Sequence, residues 1–346
     1  MALQPRNVAR GRRRRIASGA SVLVLAACWP GAGPGAAPPG GTGSELKIPE
    51  AVATHGDGRR PVGALYQTYV GLIERGWQLD VIAESQPAGT AAALPIIALR
   101  TERSGPAVWV LSGIHGEEPA GPNAVAEVVD DLAALGELLP VVLIPLCNPQ
   151  GYARNWRYLN MPVYSEMEEG HSVGDSSHLL PDPVRPGQPR AAAPSSPEAD
   201  ALTAYVLRTA AAYPPLISID LHEDDLLAAG YVYSQGELGA GDPLAAAAVQ
   251  VLTEHGIPIQ LEGRTRFDEA ISGGIIGPVA DSSIDELLSA PAVIVGGQSR
   301  PGPAARTVLV FETPAGDLGL DQRVAAHAAL LRRLAARIAA AYGGEP

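Results

Sequence analysis

Four runs of apolar, largely β-branched residues punctuate the chain, and each ends in residues capable of chemistry. Ala107–Leu111 (AVWVL) leads into Ser112, Gly113, Ile114 and His115. Val141–Leu146 (VVLIPL) leads into Cys147, Asn148 and Pro149, Leu216–Leu221 (LISIDL) into His222, and Thr307–Phe311 (TVLVF) into Glu312. The runs are nearly continuous rather than alternating, which predicts strands buried on both faces. Helical spacing of apolar residues predicts helices over Gly121–Leu135 and over the Ala/Leu/Arg-rich segment Gln322–Ala341. Buried strands alternating with helices predict an α/β fold, and in such sheets ligands collect at the carboxyl ends of the strands. A second Pro-rich stretch, Leu180–Pro197, reads as a long surface insertion, and no internal repeat is present.

The N-terminal part has a different pattern. Arg6, Arg10 and the run Arg12–Arg15 precede an apolar stretch from Ile16 to Ala27, too short for a permanent membrane span and of the length of a secretory leader. The stretch closes on Leu25-Ala26-Ala27-Cys28, a pattern resembling the lipobox at which bacterial lipoproteins are cut and acylated. The expectation is a signal peptide over residues 1–27, lipidation at Cys28 and a Pro/Gly-rich tether over 28–46. A catalytic domain follows over 47–346, in an exported lipoprotein held on the bacterial cell envelope by its lipid. Cys147 is then the only other thiol, so no intramolecular disulfide forms.

With 346 residues, 46% of them apolar and 18% charged, the chain has material for a large core. Its formal charge of −12, which becomes more negative without the leader arginines, argues against a nucleic-acid partner.

The strand ends carry the donors of a metal site. His115 and Glu118 stand three apart in HGEE, close enough for one short loop to aim both at a point. His222 supplies a third ligand, and two imidazoles with one carboxylate leave zinc an open position. Asp220 or Glu223 would orient an imidazole from behind. Glu312 stands where a general base is needed. Cys147, inside an apolar run, reads as a buried and inert thiol. The chain has no Walker loop.

On these residues the chain resembles the zinc carboxypeptidase family over most of residues 60–340. GIHGEEPAGP is similar to that family's first zinc motif in its murein peptide amidase branch; SIDLHE resembles the segment of the third ligand, and FETP that of the base. The resemblance implies a single domain with a mixed, mostly parallel central sheet flanked by helices and one zinc per chain. It implies that His115, Glu118 and His222 are the ligands and Glu312 the base. NPQGYARNWR resembles the stretch whose arginine polarises the scissile carbonyl, a role that falls to Arg157, with Arg154 second. Family members often use a mobile tyrosine, for which Tyr231 and Tyr233, alternating on a possible strand, are available.

One motif departs. Where the family carries Asp-Leu-Asn-Arg to grip a C-terminal carboxylate, this chain has SVGDSSHLLP, with Ser177 and His178 in the gripping positions. A neutral imidazole does not replace a bidentate guanidinium. The expected activity is therefore hydrolysis of a peptide or amide bond, with cell-wall peptides as the nearest substrates. The alternatives are an N-acyl amino acid deacylase of the succinylglutamate desuccinylase and aspartoacylase type, or a non-catalytic envelope binding lipoprotein.

Overall fold

The computed structural model describes residues 46, 52, 54–265 and 267–342. The expected leader and tether, with Cys28, lie outside the described residues, apart from Leu46. Twelve strands are present among those described: β1 (Gln78–Ser85), β2 (Leu94–Arg100), β3 (Ala107–Ser112), β4 (Val141–Ile144), β5 (Pro215–Asp224), β6 (Tyr231–Ser234), β7 (Glu262–Arg264), β8 (Ala270–Ser272), β9 (Ile275–Ile276), β10 (Ala292–Val295), β11 (Gln298–Pro301) and β12 (Thr307–Pro314). Ten form one sheet in the order β1-β2-β4-β3-β5-β12-β6-β9-β8-β7, while β10 and β11 pair separately. The centre, β4-β3-β5-β12, is parallel. Antiparallel pairs flank it on both sides.

The four apolar runs are those central strands. Their near-continuous hydrophobicity follows from helices on both faces of the sheet. On one face Val108, Val110, Ile219, Leu309 and Phe311 pack against α1 (Val62–Val70), α2 (Ala120–Glu127), α6 (Pro243–Glu254) and α8 (Leu320–Arg332). On the other, Trp109, Leu111 and Val308 meet Leu202 and Tyr205 of α5 (Pro197–Ala210) and Leu287 and Leu288 of α7 (Ile284–Ser289). Alternate residues of one strand thus enter two separate cores, so both registers are mostly apolar, with Ser218, Asp220 and His222 of β5 as the exception. The result is a single α/β domain with a mixed sheet, parallel at its centre and flanked by helices.

Three boundaries differ from the sequence reading. The run over 141–146 pairs only to Ile144, because Pro145 has no N–H for the ladder. The predicted helix over 121–135 divides at buried, β-branched Val128 (φ −114°, ψ 20°) into α2 and α3 (Val129–Leu138). That over 322–341 divides at Arg333, whose N–H is shared between the carbonyls of Ala329 and Leu330, into α8 and α9 (Leu334–Tyr342). The Pro-rich stretch is a surface loop, exposed over 183–188 and ending where Ser196 caps α5.

Candidate active site

Parallel strands place their carboxyl ends together, and the register makes the meeting specific. Glu312 of β12 stands opposite His222 of β5, and Ser112 at the end of β3 stands opposite Leu221, so the HGEE loop leaves β3 beside His222. Both imidazoles turn Nδ1 to the Glu118 carboxylate: His115 Nδ1 lies 2.8 Å from Oε1 and His222 Nδ1 2.9 Å from Oε2. The ring centroids are 4.9 Å apart, and donor atoms of the three residues lie within 4.8 Å of one another. The structure therefore brings His115, Glu118 and His222 to one point.

The electrostatics of this trio suit a cation. Burial would raise the Glu118 carboxyl, but the imidazoles of His115 and His222 outweigh it and hold the group well below the usual carboxylate range. Burial and the nearby Arg157 charge push His115 down to about 4, which keeps its nitrogen available as a donor. Two imidazole nitrogens and a carboxylate, convergent and buried, fit the donor set of a catalytic zinc site.

Asp220 places its Oδ2 3.1 Å from Nε2 of His222, behind the ligand. Glu223 points elsewhere: it accepts the Ala120 N–H at 2.7 Å and pairs with Arg323, fastening β5 to α2 and α8. Of the two carboxylates, Asp220 is thus the one beside an imidazole. A second buried group, Asp220, His222 and Asp285, brings donor atoms within 4.8 Å on the same side. Burial and the charge of Asp220 push the Asp285 carboxyl well above its ordinary range.

In front of the trio opens a cleft lined by Arg157, Glu223–Leu227, Tyr231, Tyr233, Thr265, Phe267 and Glu312. Glu312 is 8% exposed and its Oε2 has no hydrogen-bond partner. Burial, reinforced by Glu118 and Asp224, pushes its carboxyl well above the usual range against the opposing pull of His222 and Arg157. A carboxylate so placed takes up a proton readily. Arg157 enters the same cleft and donates to Glu117 at 2.7 Å and Glu118 at 2.9 Å. Burial and the charge on Glu118 in turn push Glu117 up to about 7, despite Arg157. Tyr231 and Tyr233 stand together on β6, their hydroxyls donating to Asp224 and Glu269 at 2.7 and 2.9 Å.

Two other predicted residues lie apart from this cleft. Arg154 donates to the carbonyls of Gln150 and Leu159, at 3.2 and 3.1 Å, and stacks over Trp156 at 4.1 Å. His178 turns to α5, its Nε2 lying 3.4 Å from Thr203 Oγ1 and 3.8 Å from Asp200. Ser177 closes on Asp175, donating at 2.6 Å. Cys147 is fully buried, and burial holds its thiol well above the ordinary value.

Sequence patterning did not find the brace beneath these loops. Arg59, its side chain fully buried, donates to the Gly116 carbonyl at 2.9 Å, the Tyr152 carbonyl at 2.6 Å and Asn155 Oδ1 at 2.5 Å. It joins the HGEE loop to the helix α4 (Pro149–Arg154) that opens the NPQG motif. Asn148 caps that helix, accepting from Gly151 N–H at 2.8 Å, and Gly116 lies against Gly151 so closely that a Cβ would stand 2.0 Å from its carbonyl carbon. Arg59 sits before the first helix with no motif about it; the signal available, a lone arginine near Asp57, is indistinguishable from a surface pair.

No protein-family profile matches the sequence, and no curated protein is similar to it. Solved structures are. A candidate metallopeptidase from Shewanella baltica superposes with a TM-score of 0.61 at 23% identity, over 80% of this chain and 91% of that one. A second, from Shewanella amazonensis, gives 0.60 at 22%, over 80% and 92%. Carboxypeptidase A from Helicoverpa armigera gives 0.50 at 13%, over 84% of this chain and 75% of its own. This is the carboxypeptidase A-like fold. The carboxypeptidase A-like fold accounts for the parallel centre of the sheet and for a cleft at its carboxyl edge.

Proposed function

We propose that the protein is a zinc-dependent hydrolase of peptide or amide bonds. The observation that carries this reading is the placing of Glu312, which lines the cleft and stands opposite His222 of the His-Glu-His trio in register. Zinc held by His115, Glu118 and His222 would supply Lewis-acid polarisation of the scissile carbonyl and acidify water. Glu312 takes the proton from the attacking water through its unpartnered oxygen and returns it to the leaving amine. Arg157, charged throughout, stabilises the carbonyl oxygen as negative charge develops there. Asp220 fixes the orientation of His222. In the same reading the chain is exported and held at the bacterial envelope by a lipid on Cys28, which makes cell-wall peptides its nearest substrates; the apolar run before Leu25-Ala26-Ala27-Cys28 supports this.

The test is metal analysis followed by an amide panel. The expected result is about one zinc per chain, lost in Glu118→Ala, and metal-dependent cleavage of at least one class among cell-wall tripeptides, peptides with free or amidated C-termini and N-acyl amino acids. Cleavage confined to N-acyl amino acids would move the protein to the deacylase reading. Zinc bound with no turnover of any class would leave a binding protein.

A further inference from the structure

The cleft says more about charge than about size, and this inference rests on the hydrolase reading above. Among its described lining residues Arg157 is the only arginine or lysine. One of its terminal nitrogens is shared by Glu117 and Glu118, and its Nε faces the Tyr158 hydroxyl at 3.3 Å. Acids thus hold one edge of the one guanidinium among the described lining residues. Carboxylates, in contrast, are plentiful. Glu223 is neutralised by Arg323, but Asp224 and Asp225 at the mouth have no cationic partner among the described residues. Asp224 accepts the Leu226 N–H and the Tyr231 hydroxyl, both at 2.7 Å, which aims its carboxylate without cancelling its charge. Asp225 is exposed. Deeper in, Glu312 brings an unpartnered and nine-tenths-buried carboxylate oxygen to the same cleft. The rim beside these acids is apolar: Leu226 is 53% and Phe267 54% exposed, and Leu227 is half-buried.

We propose that the cleft selects substrates carrying an aliphatic ammonium group, received by Asp224 and Asp225, with its methylene stem lying along Leu226, Leu227 and Phe267. Charged heads with apolar stems are held in this divided way, the stem on apolar surface and the head among oxygens. Two sources present this chemistry, a side-chain ammonium of the lysine kind and the free amino terminus of a peptide.

Calorimetric titration of the zinc-loaded chain with Nα-acetyl-lysine amide, Nα-acetyl-norleucine amide, Nα-acetyl-glutamate amide and leucine amide reads the charge preference without turnover. Lysine over norleucine by roughly fivefold, with glutamate weakest, is the expected order for partly exposed ion pairs. Lysine binding identifies a side-chain ammonium, and leucine amide exceeding lysine identifies an α-ammonium. Asp225→Asn should cut the ammonium preference about threefold, and 0.5 M salt should compress it. Equal binding of lysine, norleucine and leucine amides, a preference for glutamate, or an unchanged ratio in Asp225→Asn would overturn the inference. Turnover of the matching peptides then separates the two readings. Hydrolysis without charge preference sinks this inference alone, whereas ammonium-selective binding without hydrolysis sinks the hydrolase reading alone.

Discussion

The carboxyl edge of β3, β5 and β12 and the segment Gly174–His178 contain similar residue types and use them in opposite ways. At the sheet edge, polar side chains converge on one another: His115 and His222 on Glu118, Asp220 on His222, Arg157 on Glu117 and Glu118. In the segment, polar groups other than His178 Nδ1 are spent on local structure. Ser177 bonds Asp175, the Ser176 N–H bonds the Ser282 carbonyl at 2.8 Å, and His178 faces α5. The groups that could perform hydrolysis are thus assembled, while the stretch corresponding to a carboxylate grip has become part of the packing. Bond cleavage and recognition of a chain end are separable: the first needs buried, mutually polarised groups, the second a free cation that this segment does not offer.

The largest expected effect comes from Glu312→Gln, which keeps the shape of the side chain and removes the base. Turnover should fall by about 10² to 10⁴ with zinc content unchanged. Equal rates in variant and wild type would break the assignment of the sheet edge as the catalytic side of the comparison. Asp220→Asn sharpens the same side. It leaves the three ligands in place but weakens the partner of His222, so zinc affinity measured by competition with a chelator should drop roughly tenfold, at the low end for such outer carboxylates. An unchanged affinity would assign the buried Asp220 to packing alone. The smallest effect belongs to the other side. His178→Ala should alter kcat/KM by no more than about threefold and show itself instead as a stability loss of about 1 kcal/mol in denaturant unfolding. A rise in KM confined to peptides with a free C-terminal carboxylate would restore His178 as a recognition residue and erase the contrast.

The parallel centre of the sheet was legible because its strands run between two cores and are apolar in both registers almost throughout, β5 with Ser218, Asp220 and His222 excepted. The site was legible because β3, β5 and β12 each end in a donor. The flanking strands were not: β7, β8 and β9 are two or three residues long and mostly polar or glycine-bounded, too short to show a period. Between Arg157 and Arg154 spacing alone gave an order of preference, and geometry separates them by their neighbours, acids for one and carbonyls with an indole for the other. The choice between Asp220 and Glu223 was equally beyond sequence, since it turns on where Arg323, a hundred residues later, comes to rest. Arg59 was hidden because its acceptors other than Asp57 belong to backbone and side chain of distant loops, a kind of contact that leaves no trace in composition.

The contact of Gly116 with Gly151 has a consequence for how such a chain can change. Seen along the sequence, HGEE and NPQG are two motifs; in space they touch backbone to backbone, where an added Cβ at Gly116 would collide with a peptide group and one at Gly151 would meet Asn148 and the Trp156 carbonyl. At Gly116 no shortened side chain can make room, because everything an added Cβ would meet there is backbone. In any descendant that retains the site, the two glycines must therefore be inherited together. They form a marker by which a remote relative is recognisable after the ligands' neighbours have drifted.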